Sequence, residues 1–286
     1  ARAIAARFAA AQHNMVLAGR NLDELRKTAT DLRIRFQVDV HAVRFDALDF
    51  DTHPAFFEQC LKVAGAELAG VVLCHGYMAD QQIAQKDFAE TQRMIDTNYT
   101  SAASVLNLCA NYFESRRQGF VCAISSVAGD RGRQSNYLYG STKAALDAYL
   151  EGMRVRLAKA GVPVLTVKPG FVDTRMTWGL KGMFLVASPD QVARDVFRAR
   201  NSSGDITIQS TRSLPVLRAM IDAVDREILQ LLARRNAIVS EIALYKRGHS
   251  VPIRDHQRER EILADRRAFR PGRGRRPAGA GGRSAC

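Results

Sequence analysis

The sequence has no run of about eighteen apolar residues, so it lacks a segment that could cross a membrane as a helix. No signal peptide is evident at its start. Its five cysteines are an odd number and lack the spacing of a metal site, so we predict no metal centre. We interpret the four in apolar segments as reduced core thiols of a cytoplasmic protein. The cysteines are Cys60, Cys74, Cys109, Cys122 and, at the end of the chain, Cys286.

Acidic residues are missing from the end of the chain. The formal net charge is +13, and residues 266–286 contribute seven arginines without one aspartate or glutamate. The rest of the excess positive charge is spread along the chain and forms no basic stripe. Because residues 268–286 are rich in Gly, Pro and Arg, we interpret them as a disordered, solvated tail rather than an arm for nucleic acid or a membrane surface. No nucleic-acid partner is therefore expected.

The length of 286 residues allows one large hydrophobic core or two smaller ones. Gly70–Gly76 is a continuous apolar run with β-branched residues, which is typical of a strand buried on both faces of a parallel sheet. Such strands alternate with helical patterns up to residue 210. The first part of the chain is therefore predicted to be α/β, with a doubly wound parallel sheet.

The other predicted elements of this part follow from periodicity and turn residues. Helices are expected over residues 1–12, Leu22–Leu32 and Tyr139–Leu157, and strands over Asn14–Gly19, His41–Phe45, Gly119–Ser126, Val162–Lys168 and Ile206–Gln209.

The stretch from Ala123 to Lys143 carries residues suited to chemistry. Tyr139 and Lys143 are four positions apart, so they lie on one face of a helix. A lysine ammonium beside a phenol favours the phenolate, so we expect Lys143 to lower the pKa of Tyr139. Ser126, at the end of the preceding strand, could place its hydroxyl beside the same reacting oxygen. Together they predict a site that protonates or deprotonates a carbonyl or alcohol oxygen.

A Tyr-x-x-x-Lys pair alone is weak evidence, because it arises by chance in many chains. Here it is accompanied by Ser126, by Asn98 within MIDTNYTSA and by the strand-to-turn segment Val164–Gly170. In this order and spacing the set resembles the short-chain dehydrogenase/reductase family. The resemblance covers residues 1–210.

This resemblance implies a Rossmann-like fold and hydride transfer between NAD(P)H and a carbonyl compound. It implies the catalytic set Asn98, Ser126, Tyr139 and Lys143, with Tyr139 as the proton donor. Asn98 would hold a water that links Lys143 to solvent. The residues from 125 to 150 are most similar to those of reductases that act on lipid-linked keto pentofuranose phosphates, so a lipid-linked keto sugar is one expected substrate.

The same resemblance assigns the cofactor. Arg20 follows the strand end at which an acid would bind the ribose hydroxyls of NAD(H), whereas a cation suits the 2′-phosphate of NADP(H). NADP(H) is therefore expected, with a merely solvated Arg20 as the alternative. Asp46 would contact the adenine ring. The implied cofactor-binding positions are Arg20, Asp46, Ala47, Gly76, Tyr139, Lys143, Pro169, Gly170, Val172 and Thr174.

One turn differs from the family pattern, and a second turn matches it. Cys74-His75-Gly76 replaces the usual Asn-Ala-Gly, so Gly76 keeps the close backbone approach while the Asn contact is lost. His75 either contacts substrate or is a loop histidine without a special role. Phe171–Thr174 matches the turn that closes over the nicotinamide in relatives, and the apolar segment Trp178–Val186 suits a substrate lid.

The glycine-rich turn that cradles the pyrophosphate does not occur in this sequence. It would lie just before Ala1, together with the first strand of the sheet. We expect either that the sequence is a fragment or that the protein lacks half of its cofactor site.

The pattern changes after Ser213. Apolar residues recur at spacings of three and four from Leu217 to Ile242, which predicts one helix of about thirty residues. A helix of that length without a sheet around it needs a helical partner. A turn at Gly248–Pro252 and a second helix are expected to follow, making a small all-α helical hairpin.

Residues 217–263 resemble the all-helical chorismate mutase family. That resemblance implies an intertwined homodimer in which six polar residues bind chorismate: Arg218 from the second protomer, Arg235, Lys246, Asp255, Arg258 and Glu259. The rearrangement of chorismate needs no acid or base, only a held conformation and stabilised charge. Lyases that act on isochorismate share the fold and are the rival, but Asp255 and Glu259 favour the mutase pattern.

The family's third helix, which carries a glutamine, would follow Leu263. The sequence from Ala268 onward is too rich in Gly, Pro and Arg to form it. We therefore divide the chain into a reductase over 1–210, a mutase-like module over 213–267 and a tail over 268–286. The alternatives are a helical module that serves only for dimerisation, or an inactive fragment.

Overall fold

The computed structural model describes residues 1–208 except 66, 175, 179–182 and 184, and then residues 214–249, 257, 260 and 261. The side chains of 214–221, 223 and 224 lie outside that description. The chain divides into two compact units, Ala1–Arg212 and Ser213–Cys286. The helices of the first unit are α1 Arg2–Ala9, α2 Leu22–Phe36, α3 His53–Val63, α4 Gln81–Ala84, α5 Phe88–Ile95, α6 Ser101–Arg116, α7 Tyr137–Ala158 and α8 Pro189–Ala199. Its strands are β1 Met15–Gly19, β2 Val40–Arg44, β3 Val71–Leu73, β4 Val121–Ile124, β5 Val164–Pro169 and β6 Gly204–Ile208.

The α2 helix shows how the local sequence sets the start and the end of a helix. Asn21 caps its start, because the side-chain oxygen accepts a hydrogen bond from the Glu24 amide. Residues 33–36 contain no Gly or Pro that would end the helix, so it continues past the predicted end at Leu32 to Phe36. It stops where Gln37 takes a left-handed conformation with φ 55°.

All of these strands are parallel. They form a two-stranded sheet, β1-β2, and a four-stranded sheet in the order β3-β4-β5-β6. The predicted class, α/β with a parallel Rossmann-like sheet, is confirmed. The prediction for Gly70–Gly76 was wrong in one respect: β3 covers only Val71–Leu73, and Val71 and Val72 are half-buried. Among the described strands β3 pairs with β4 alone, so one of its edges is not covered by a neighbour.

Helices cover both faces of the four-stranded sheet. On one face α6 and α7 pack their fully buried Leu106, Phe113, Leu146 and Leu150 against β4 and β5. On the other face α1 and α8 place Ile4, Val192 and Val196 against Cys122, Leu165 and Val167. Strands with apolar residues on both sides thus lie between two helical layers, which explains the continuous hydrophobic runs of β4 and β5.

The segment after β5 is held by its own polar contacts. Val172 forms an isolated parallel bridge with Ala187. The Thr177 hydroxyl donates to the Val172 carbonyl at 2.6 Å and accepts from the Thr174 amide at 3.2 Å. Met176 and Trp178 are exposed. Part of the predicted lid, Trp178–Val186, lies outside the described residues.

The second unit is described mainly by one helix, α9 Leu214–Gly248, of 35 residues. The single long helix predicted from the apolar spacing is confirmed. Apolar side chains of its described part are exposed, and they include Ile228, Leu231, Leu232, Ile238 and Ile242. The second helix of the predicted hairpin falls largely outside the described residues. Neither α9 nor any other described helix is long and apolar enough to cross a membrane.

Candidate active site

The site begins where β4 ends. Ser126 follows β4 in an extended conformation, and its hydroxyl accepts from the Ala128 amide at 3.1 Å. The start of α7 packs closely on this turn, since a Cβ added to Gly140 would come within 2.7 Å of the Ala128 carbonyl oxygen. A side chain at position 140 would push the helix away. The glycine therefore lets the start of α7, with Tyr139, pack against the turn that carries Ser126.

Tyr139 is a buried phenol, 8% exposed. Burial raises its pKa to about 12, and the Ser126 hydroxyl, which favours the phenolate, only partly opposes that change. The expectation that Lys143 lowers the pKa of Tyr139 was therefore wrong for this structure. Desolvation disfavours the phenolate more than the neighbouring groups favour it. Tyr139 is thus a protonated phenol at neutral pH.

Lys143 lies one turn further along α7 and is 3% exposed. Its ammonium donates to the Ile124 carbonyl at the end of β4, at 3.0 Å, and lies 5.9 Å from the centre of the Tyr139 ring. Burial lowers the pKa of Lys143 to about 8, against the opposing influence of Asp147 and Cys74. A buried ammonium with so low a pKa changes its charge close to physiological pH.

Asn98 joins the site from another element. It is 1% exposed and lies in a π-helical turn, Asp96–Thr100, between α5 and α6. Its side-chain amide donates to the Tyr77 carbonyl at 2.8 Å and to the Thr142 hydroxyl at 3.0 Å, and its oxygen accepts from the Tyr77 amide at 2.7 Å. Asn98 therefore fastens the loop after β3 to α7. π-helical turns of this kind often occur at functional sites.

Thr142 and Tyr77 are site-supporting residues that sequence reasoning missed. Thr142 lies directly before Lys143, and Tyr77 directly after Gly76. Neither contact is visible in the sequence, because each joins residues far apart in the chain.

Gly76 is packed closely against these groups. A Cβ at this position would lie 3.3 Å from Asn98 Oδ1 and 3.6 Å from Lys143 Nζ, and 3.9 Å from the Met176 methyl. A side chain here would occupy the space next to the Lys143 ammonium. The loop after β5 thus reaches the same place as the end of β3, and Gly76 presents backbone rather than a side chain to a cofactor at this edge of the sheet.

The other predicted cofactor residues lie at the ends of their strands. Arg20 is exposed directly after β1, and Gly19 pairs with Arg44 at the end of β2. The Asp46 carboxylate accepts from the Leu48 amide at 3.1 Å. Ala47 packs on the main core. The rings of Phe45 and His75, 5.6 Å apart, show that the ends of β2 and β3 are neighbours.

The loop after β5 supplies the remaining positions. Pro169 is buried at the end of β5, and the Gly170 amide donates to the Ile208 carbonyl at 2.9 Å. Val172 is half-buried and Thr174 exposed. The structure therefore places Pro169, Gly170, Val172 and Thr174 at the same edge of the sheet as Ser126, since β4 and β5 are parallel neighbours.

His75 has a structural contact. The Ser101 hydroxyl donates to the Thr97 carbonyl at 2.7 Å, so its oxygen accepts from His75 Nε2, also at 2.7 Å. Burial, with the nearby Lys143 and His53, lowers the pKa of His75 to about 4. His75 is therefore neutral at physiological pH and fixes the end of β3 to α6.

The residues expected to bind chorismate are only partly described. Arg235 is exposed and Lys246 half-buried on α9, and a separation of about three helical turns puts them on one face. The side chain of Arg218, and Asp255, Arg258 and Glu259, lie outside the described residues. The described part of the chain therefore does not bring this set together.

Comparisons with known proteins follow the division into two units. The sequence model of the short chain dehydrogenase family matches residues 1–183, and that of chorismate mutase type II matches residues 217–280. The second match extends further than the resemblance over 217–263. An uncharacterised oxidoreductase of Mycobacterium tuberculosis is 37% identical over 194 residues, which are 68% of this chain and 78% of that protein. One from Streptomyces coelicolor is 35% identical over 172 residues, 60% of this chain and 66% of that protein.

Solved structures share the fold. An alcohol dehydrogenase from Thermococcus sibiricus, complexed with 5-hydroxy-NADP, has a TM-score of 0.66 at 20% identity, covering 74% of this chain and 92% of that chain. An NADPH-dependent 3-quinuclidinone reductase from Rhodotorula rubra also has a TM-score of 0.66, at 19% identity, covering 73% and 85%.

The lowered pKa of Lys143 should change how the free energy of unfolding depends on pH. Its pKa is about 8 when folded and 10.5 as an ordinary lysine, so between these values the unfolded chain binds more protons and the free energy of unfolding rises with pH. Urea titrations from pH 7 to pH 9, below the range in which deprotonation of the buried thiols Cys60, Cys109 and Cys122 lowers stability, should show a steeper rise in the natural sequence than in Lys143→Met. An equal rise in both proteins would contradict the assignment of a buried, depressed lysine.

Proposed function

This chain belongs to the short-chain dehydrogenase family, and on that premise we propose that its first unit is an NADP(H)-dependent reductase of a carbonyl compound. The observation that carries the proposal is the buried, protonated Tyr139, whose phenol the Ser126 hydroxyl influences and which lies one turn from Lys143. A hydroxyl that is protonated at neutral pH can act as the acid when a carbonyl oxygen becomes an alkoxide. Ser126 is close enough to Tyr139 to bind the same oxygen.

Tyr139, Lys143 and Asn98 have separate roles in the proposed proton transfer. Tyr139 gives its proton to the developing alkoxide, and the Lys143 ammonium stabilises the phenolate that remains. Asn98 keeps the loop of Gly76 against α7, next to the Lys143 ammonium. The water that Asn98 is proposed to hold would return a proton through Lys143. The nicotinamide, when bound, supplies the hydride.

We propose that the cofactor lies along the ends of the strands. Arg20 would bind the 2′-phosphate, with Asp46 and Ala47 near the adenine. Gly76 and the group Pro169, Gly170, Val172 and Thr174 would hold the nicotinamide half. Two structural neighbours are an NADP-analogue complex and an NADPH-dependent reductase, which supports NADP(H) over NAD(H).

The substrate is proposed to be a carbonyl compound, and a lipid-linked keto sugar fits the exposed apolar Met176 and Trp178 next to the site. The four cysteines among the described residues are free thiols, three of them buried, which supports a cytoplasmic location.

For the second unit we propose chorismate mutase activity, the conversion of chorismate to prephenate, in a homodimer. The match of the chorismate mutase type II model over residues 217–280 carries this proposal. Arg235 and Lys246 on one face of α9 would hold a carboxylate and the ether oxygen, completed by Asp255, Arg258 and Glu259. Arg218 would come from the second protomer. The exposed apolar residues of α9 support a helical partner.

Binding of NADPH tests the cofactor assignment. Arg20→Asp should weaken binding by about 10- to 100-fold, because it replaces a charge-assisted contact to phosphate with repulsion. Tyr139→Phe should leave the dissociation constant almost unchanged, since only a hydroxyl is lost. Fluorescence titration measures both. Arg116→Asp, an exposed charge reversal on α6, is the control, and equal weakening by both charge reversals would contradict a specific role for Arg20.

Chorismate consumption tests the mutase. The natural sequence should convert chorismate to prephenate, and Arg235→Ala should reduce the rate by about 100-fold or more because a fixed countercharge is lost. Arg226→Ala is the matched control, since Arg226 is an exposed arginine on the opposite face of α9. A natural sequence that dimerises without consuming chorismate would show that the helical unit serves assembly alone.

Sedimentation velocity tests the dimer. Ile228→Glu should raise the concentration at which the dimer dissociates by at least about tenfold, because it places a charge in a buried apolar contact. Gln230→Glu adds the same charge on the opposite face of α9 and should have little effect. A monomeric natural sequence at all concentrations, or equal effects of both substitutions, would refute the proposed interface.

A further inference from the structure

His53 is a fully buried histidine outside the proposed catalytic set. It begins α3 and is 0% exposed. The centre of its ring lies 5.1 Å from that of Phe45 and 5.6 Å from that of Phe50. Both ring nitrogens have hydrogen-bond partners: Nδ1 lies 2.9 Å from the Ser104 hydroxyl on α6, and Nε2 lies 3.0 Å from the Asp46 carbonyl oxygen. His53 therefore joins α6 to the turn that follows β2.

The two partners determine which ring nitrogen carries the proton. A carbonyl oxygen only accepts hydrogen bonds, so Nε2 of His53 donates to Asp46. In the neutral ring Nδ1 is then an acceptor, and the Ser104 hydroxyl donates to it. Donation thus runs in one direction, from Ser104 through His53 to the backbone of Asp46.

The turn that receives this hydrogen bond has weaker support of its own. The Asp46 carbonyl also accepts from the Asp49 amide, at 3.3 Å, and the Asp46 carboxylate accepts from the Leu48 amide at 3.1 Å. Leu48 and Asp49 are exposed, whereas Ala47 packs on the main core. The hydrogen bond from His53 therefore ties a largely exposed turn to a buried group.

A second histidine is held by the same face of α6. Ser101 and Ser104 are three positions apart on that helix, and Ser101 accepts from His75, which follows β3. Among the described strands no pairing joins the sheet of β2 to the sheet of β3. The two serines therefore align the chain after β2 with the chain after β3, along the edge where the cofactor is proposed to lie.

We propose that His53 is a positioning residue for the adenine end of NADP(H). By donating to the Asp46 carbonyl it holds the backbone of Asp46 and Ala47 where the adenine is proposed to bind, and it does not touch the cofactor itself. This inference rests on the cofactor placement in the proposed function. The hydrogen-bonded link can be measured in the free protein, so its failure and that of the cofactor placement are distinguishable.

Two substitutions separate the roles of the ring nitrogens. His53→Gln puts an amide nitrogen near the position of Nε2 and keeps a donor to Asp46, whereas His53→Asn keeps only an acceptor for Ser104. Without ligand, hydrogen exchange of the Leu48 and Asp49 amides, followed by NMR, should be about tenfold faster in His53→Asn and nearly unchanged in His53→Gln. The amides of β5 report global stability and should respond alike to both substitutions.

Titration calorimetry tests the cofactor role with NADPH and with adenosine 2′,5′-bisphosphate, which represents the adenine end alone. His53→Asn should raise both dissociation constants by the same factor, about five- to tenfold, and His53→Gln should leave both nearly unchanged. Ser104→Ala is a smaller change that removes the donor to Nδ1. It should speed exchange of the same two amides and raise both constants by about two- to fourfold.

Natural exchange rates at Leu48 and Asp49 in both His53→Asn and Ser104→Ala, or equal effects of His53→Asn and His53→Gln, would overturn the proposed link. Faster exchange at these amides with unchanged dissociation constants would overturn the role in cofactor binding. A natural sequence that binds neither probe would refute the cofactor placement, and with it that role of His53.

Discussion

A buried lysine ammonium at the carboxyl edge of the sheet governs the organisation of this site. Lys143 is almost completely removed from water, and a charge in that position is stable only where carbonyls and countercharges replace its hydration. The Ile124 carbonyl accepts from it, and Asp147 favours its charged form. Tyr139 and Lys143, one turn apart on α7, therefore differ in charge. The buried phenol is neutral, whereas the buried ammonium has a pKa close to physiological pH.

Three separate elements must meet for that environment to exist. The end of β4 supplies Ser126 and the Ile124 carbonyl, α7 supplies Tyr139 and Lys143, and the π-helical turn supplies Asn98. Gly140 and Gly76 allow these elements to approach one another, because neither residue has a side chain that would hold them apart. The chemistry thus depends on packing tolerances of a few tenths of an ångström, and the buried faces of α6 and α7 keep those elements in place.

The second unit has the opposite physical character. Its described helix exposes large apolar side chains over several turns, whereas the helices of the first unit bury theirs in two compact layers. A long helix gains little stability from propensity alone and depends on tertiary packing of its apolar face. The apolar face of α9 therefore depends on further packing for its stability, whereas the helices of the first unit bury theirs within that unit.

The sequence alone determined the fold class and the strand and helix order, because alternation and short-range spacing are local properties. Spacing on one helix placed Tyr139 beside Lys143 and the strand end offered Ser126, whereas Asn98 joined this group only through the resemblance to the short-chain dehydrogenase/reductase family. It also determined the long helix from Leu217 to Ile242. Only the tertiary structure decided the sign of the pKa change at Tyr139, since desolvation depends on what packs around the ring. It likewise decided that Lys168 meets Asp147 and that Thr142 meets Asn98, because these pairs join β5, α7 and the turn before α6 across long stretches of chain. Local pattern records which face of an element is apolar, whereas the charge state of a buried group is set by neighbours that only folding brings together.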